Sequence, residues 1–119
     1  ESLCKWKYRL TEDLHLTTSV FGYSCKTEYV MLWDDGRLIL YNGYAWDGAT
    51  CCPDVPSIMR GSAGHDALYQ LIGLGAIPEA KRFNADFDLY RWCKDDGMDD
   101  IRANAVLSAV RQFGGLFSG

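Results

Sequence analysis

The first half of the chain alternates apolar and polar residues with a period of two. Trp6, Tyr8 and Leu10 alternate with Lys5, Lys7 and Arg9, the pattern of a half-buried strand with a basic outer face. After the polar break Thr11-Glu12-Asp13, the alternation resumes through Leu14, Leu16, Thr18 and Val20. Tyr29 to Trp33 and Arg37 to Tyr41 are apolar runs around Asp34-Asp35-Gly36, where Asp35-Gly36 predicts a two-residue type I′ hairpin. Asn42-Gly43 turns the chain into a last short strand, Tyr44-Ala45-Trp46. Asp47 to Pro56 is a loop with two prolines, and beyond it the period changes to that of helices. The first helix is predicted from about Ile58 to Ile72, ended by Gly73 and Gly75. A second begins at Pro78 and runs to about Lys94; a third starts at Asp99 or Asp100 and ends near Gly114-Gly115. The expected fold is α+β: an antiparallel sheet of four or five strands within 1–50, then three helices within 56–114, packed on one sheet face.

Length and composition narrow this picture. The chain has 119 residues, the size of one domain, with 48% apolar and 24% charged residues, so disordered and fibrous classes are excluded. No apolar run approaches the roughly 18 residues that span a bilayer. A net charge of −4 argues against a partner made of nucleic acid, which calls for a concentrated basic face; Lys5, Lys7 and Arg9 read as a solvated strand edge. Five cysteines cannot all pair within one chain, and none has the spacing of a zinc site. Cys4 and Cys25 lie in candidate strands and form one bridge if the protein is exported; otherwise the thiols are reduced and mostly buried. Glu1 is either a processed terminus or a boundary, so the compartment stays open.

Chemistry concentrates on the helices. His65 and Tyr69 lie about 40° apart on the first helix, and Asp66 about 60° from Tyr69, so all three project from one side. Upstream, Gly61-Ser62-Ala63-Gly64 permits close approach, either of a ligand or of a neighbouring helix. On the second helix Asp86 falls within an apolar stripe of Phe83, Phe87, Tyr90 and Cys93, whereas Asp88 faces solvent. A carboxylate in such a stripe requires a partner. His65 is one candidate, an arrangement that orients a general base. Arg102 is the rival: with Met98, Ala105, Ala109 and Phe113 around it, it is placed to pair with Asp86 or Asp66 as a structural ion pair. His15 reads as an exposed strand position.

The stretch from Tyr44 to Gly114 resembles a family of small phage and prophage proteins of unknown function. That family carries a D-G-A-S-x-P loop, H-D-x-x-Y on a helix, an A-D-x-x-F helix and a closing A-V-R-x-F-G segment. The matching residues are Asp47-Gly48-Ala49-Thr50, His65-Asp66 with Tyr69, Ala85-Asp86 with Phe87 and Tyr90, and Ala109-Val110-Arg111-Gln112-Phe113-Gly114. Cys51 to Val55 lengthen the loop before Pro56-Ser57. The resemblance implies a bacterial-host setting, in the cytoplasm or the virion, and a phage or host protein as partner.

At the level of a site, the helices are also similar to secreted phospholipases of the A2 class. That likeness implies His65 as the base activating water, Asp66 as a calcium ligand, and Tyr69 with Asp86 as the supporting network. The glycine-rich calcium loop and disulfide ladder of that class are absent, so Asp47 and the carbonyls of Gly48 to Thr50 would complete the divalent-cation site. Two readings follow. One is an accessory protein whose His-Asp-Tyr cluster ties the helices to the Asp47 loop. The other is a small metal-assisted hydrolase with His65 as general base oriented by Asp86.

Overall fold

A computed structural model describes the chain over residues 6–49 and 52–117, with side chains as far as residue 112. The described residues form six short strands and then helices, an α+β order. The strands are β1 (Tyr8–Arg9), β2 (Leu14–Thr17), β3 (Cys25–Lys26), β4 (Val30–Leu32), β5 (Arg37–Leu40) and β6 (Ala45–Trp46). They make two antiparallel sheets where one was expected: β2-β5-β4-β3, and the small ribbon β1-β6. Trp6 lies outside β1 and is 47% exposed, so the first strand is shorter than its alternation suggests.

Register explains the sheet's sidedness. Leu14, Leu40 and Val30 pair across three strands, as do Leu16, Leu38 and Leu32. These two rows face inward, while His15, Ile39 and Met31 form the row on the other face. The β4-β5 connection differs from the expected type I′ turn. Gly36 has φ +95° and Asp35 does not have a positive φ; the Gly36 N–H donates to Trp33 O at 3.0 Å. This is a turn through Asp34 and Asp35 closed by one left-handed glycine, a three-residue loop in which only Gly36 needs the conformation that side chains resist.

Three helices follow: α1 (Pro56–Gly73), α2 (Arg82–Asp95), preceded by a single 3-10 turn at Glu79–Lys81, and α3 (Asp100–Phe117). Asp99 caps α3, its carboxylate accepting the Arg102 N–H at 3.2 Å. The helix continues past its expected stop at Gly114-Gly115, since a glycine weakens a helix by only about 1 kcal/mol. Among the described residues no strand follows residue 50, and no helix is long and apolar enough to cross a membrane.

Two clusters form the interior. The larger joins the leucine rows of the sheet to Ala63, Ala67, Leu68, Leu71 and Ile72 of α1, with Trp92 of α2. The smaller joins Ile58, Leu89 and Cys93 to Met98, Ala103, Val106 and Val110 at α3. The small-residue run of α1 serves the α1-α2 crossing. A Cβ on Gly64 would lie 2.5 Å from Leu16 Cδ1 and 2.8 Å from Trp92 Cζ3, and one on Gly61 would lie 3.0 Å from Leu89 Cδ1. Protein, and not ligand, fills that space.

Candidate functional site

One face of α1 carries Ser62, Asp66 and Gln70 at intervals of four, and it lies against β6 and the residue before it. Trp46 Nε1 donates to Ser62 Oγ at 2.9 Å, and the Tyr44 hydroxyl donates to Asp66 Oδ2 at 3.2 Å and Gln70 Oε1 at 3.3 Å. Burial raises the Asp66 carboxyl above the usual range, and the charge of nearby Asp47 adds to that effect; the Tyr44 hydrogen bond opposes it. Burial and the adjoining Asp66 raise the Tyr44 phenol, which stays a donor. Asp47 itself is exposed and accepts the Lys7 backbone N–H at 3.1 Å.

The next face of α1 carries His65 and Tyr69, aimed at α2. Asp86 is fully buried, and its carboxylate gathers three partners. His65 Nε2 lies 2.7 Å from Oδ1, the Tyr69 hydroxyl donates to Oδ1 at 2.7 Å, and Arg111 Nη1 of α3 donates to Oδ2 at 2.8 Å. Burial alone would raise the Asp86 pKa. The hydrogen bonds from His65, Tyr69 and Arg111 outweigh it and hold the carboxyl below the usual range. An ionised carboxylate only accepts, so His65 Nε2 carries the hydrogen of this bond, and Nδ1 is the ring nitrogen that the bond does not use. Among the described residues Nδ1 has no hydrogen-bond partner; the His65 side chain is 17% exposed, and its ring packs on Tyr69 at 4.4 Å between centroids. Burial, with the Asp86 carboxylate, raises the Tyr69 phenol, so it too remains protonated.

The five residues picked from sequence therefore divide. His65, Tyr69 and Asp86 meet as expected; Asp66 faces Tyr44, and Asp47 belongs to the loop's edge. That loop is tied to β1 and not to the cluster: Asp54 accepts from the Tyr8 hydroxyl at 2.8 Å and from Lys7 Nζ at 3.4 Å. Among the described residues no three His, Cys, Asp or Glu side chains gather as a metal-ligand set. Asp47 and Asp66 are each already engaged, to Lys7 and Tyr44 respectively. Thr50, whose carbonyl completes the expected calcium site, lies outside the described residues, as does Cys4 of the expected Cys4-Cys25 bridge.

Several sequence expectations change. Arg102 pairs with Asp99 on the exposed start of α3, and Arg111 takes the place foreseen for it. The buried stripe of α3 is Ala103, Val106 and Val110, while Ala105 is exposed. The spacing of those three was legible, and Arg111 follows it by one position. Asp86 is buried for a different reason than expected. Phe83 and Phe87 are 55% and 37% exposed, and the inward face of α2 is Ala85, Asp86, Asp88, Leu89, Trp92 and Cys93. Asp88 does not face solvent: Oδ2 accepts the Ser19 N–H at 2.8 Å and Oδ1 accepts Arg91 Nη2 at 2.8 Å. Residues 17–19 flank α2 on the side away from α3, which widens its buried arc.

No family model, curated protein or solved structure matches the chain.

Proposed function

We propose that the chain is an accessory protein of the phage and prophage type that works by binding a phage or host protein, with His65, Tyr69, Asp86 and Arg111 as the internal clasp of its helices. The observation that carries this reading is the satisfaction of one fully buried carboxylate by three donors from two other helices. An unpaired charge there would cost several kcal/mol, so the cluster fixes how α1, α2 and α3 sit together. On the outside of that clasp Phe83 and Phe87 form an exposed stacked pair, flanked by the half-buried Tyr90, with Phe83 under the Arg111 guanidinium at 5.2 Å. Exposed aromatics beside arginine are the composition of a protein-binding hot spot. A double-mutant cycle of Asp86→Asn with Arg111→Met tests the clasp: a coupling of about 1–3 kcal/mol in urea unfolding is expected. Independent, additive effects of the two substitutions count against it.

A second reading rests on the unpartnered Nδ1. With Nε2–H held by Asp86, Nδ1 is placed to take a proton from water as the resulting hydroxide attacks an acyl carbonyl, and Asp86 offsets the imidazolium charge. This is the small-hydrolase alternative; Asp66 and Asp47, its expected ligands for a divalent cation such as calcium, are engaged by Tyr44 and Lys7, so the reading rests on His65 and Asp86. Turnover of phospholipid vesicles or p-nitrophenyl esters, abolished by His65→Gln with the melting temperature retained, would replace the accessory reading with this one.

A further inference from the structure

Away from the helical cluster, a cavity of about 400 Å³ opens between the β1-β6 ribbon, the β3-β4 turn and α1. Trp6, Arg9, Glu28, Tyr29, Tyr44 and Gln70 supply its principal side chains. Its size falls within the range of about 300–1,000 Å³ that small-molecule sites occupy. Trp6 and Tyr29 are 47% and 38% exposed, and both line the opening. Aromatic side chains of this kind offer a large rigid contact area at little conformational cost.

Two of the lining side chains are anchored in advance on Gly43. Arg9 Nη1 donates to the Gly43 carbonyl at 2.9 Å, and the Tyr29 ring lies so close that a Cβ on Gly43 would stand 3.0 Å from its Cε1. Gln70 accepts from Tyr44 through Oε1, which leaves its amide N–H groups to donate. The Glu28 carboxylate has no hydrogen-bond partner among the described residues. One cation and one anion line the cavity, so it has no net preference for a charged ligand.

We propose that this cavity is a binding site for a neutral saccharide of one or two rings. A pyranose has an apolar C–H face to lie on Trp6 or Tyr29, and a rim of hydroxyls that donate to Glu28 and accept from Arg9 and Gln70. No part of this site belongs to the Asp86 cluster, so its test is independent of the function proposed above.

The test is a titration of the full chain with cellobiose, N,N′-diacetylchitobiose, maltose and lactose, followed by tryptophan fluorescence and by amide NMR shifts. Adenosine serves as a planar, neutral control. At least one saccharide is expected to bind saturably, with a Kd of about 0.1–10 mM and shifts confined to residues around Trp6, Tyr29, Gly43 and Gln70. Trp6→Ala and Gln70→Ala are each expected to weaken it at least about tenfold with the melting temperature unchanged, because both side chains are exposed. His15→Ala, at an exposed strand position away from the cavity, is expected to leave it intact. No saturable shift with any of the four sugars, binding that survives Trp6→Ala, or binding of adenosine alone would each overturn the assignment.

Discussion

Arg111 Nη1 lies 2.8 Å from Asp86 Oδ2, so the carboxylate that fixes His65 from one side is held from the other by a residue 25 positions further along the chain, on α3. A His-Asp pair between two helices thereby becomes a junction of three. Arg111 is 45% exposed and bridges solvent to a carboxylate that has none, which keeps Asp86 ionised without admitting water to it.

Asp86→Ala is expected to destabilise the chain by about 3–5 kcal/mol, because it strands the Tyr69 hydroxyl and the His65 N–H together. Arg111→Met is expected to cost less, about 1–2 kcal/mol, since its guanidinium is half in water. Urea unfolding of both variants gives the order. An Arg111→Met effect as large as that of Asp86→Ala would contradict the geometry.

The pH dependence of that contribution has a definite sign. The folded-state pKa of Asp86 lies below its unfolded value, so the unfolded chain binds the proton more readily. The stabilisation is complete at neutral pH, starts to fade near the unfolded carboxylate pKa of about 3.9, and is gone below the depressed folded value. The stability gap between wild type and Asp86→Asn is expected to narrow as the pH falls below about 4. A gap constant from pH 7 to 2 would show that Asp86 is not held ionised.

Asp66 works in the opposite direction. Its carboxyl is raised by burial and by Asp47, so its ionised form destabilises the fold at neutral pH, and that cost disappears as the pH falls. Asp66→Asn keeps an acceptor for Tyr44 and removes the charge. A melting temperature equal to or higher than wild type is expected at pH 7 without divalent cations, with the advantage vanishing in acid. A clear drop under those conditions would show that the charge itself is needed.

The glycines of α1 give a contrasting pair. Gly64→Ala forces a methyl group to 2.5 Å from Leu16 and 2.8 Å from Trp92, a cost of about 2–3 kcal/mol, at the upper end for overpacking, that exceeds the roughly 1 kcal/mol gained in helix propensity. Gly73→Ala meets nothing within 4 Å and is expected to stabilise by about 0.4–1 kcal/mol. Thermal melts of the two variants should therefore move in opposite directions. Equal shifts would mean that the α1-α2 crossing is looser than described.

The sequence alone determined the order of the elements, because the change from period 2 to about period 3.6 at the Asp47 loop is a local property of the chain. It also placed His65 and Tyr69 on one side of a helix and picked out Asp86 as their partner, although the stripe of Phe83 and Phe87 that singled out Asp86 lies exposed. The tertiary structure decided which faces are inside. Phe83 and Phe87 look like core and lie exposed, while Asp88 looks like surface and is buried against Ser19, because the arc of α2 that is covered depends on what packs from each side. The choice of Arg111 over Arg102 has the same origin. Both are arginines on one amphipathic helix, and only the rotation of α3 about its axis, set by Ala103, Val106 and Val110 against α2, turns one toward Asp86 and leaves the other with Asp99. Periodicity fixes which residues share a face; the energy of packing two faces together fixes which face is buried, and that energy is a property of pairs distant in the chain.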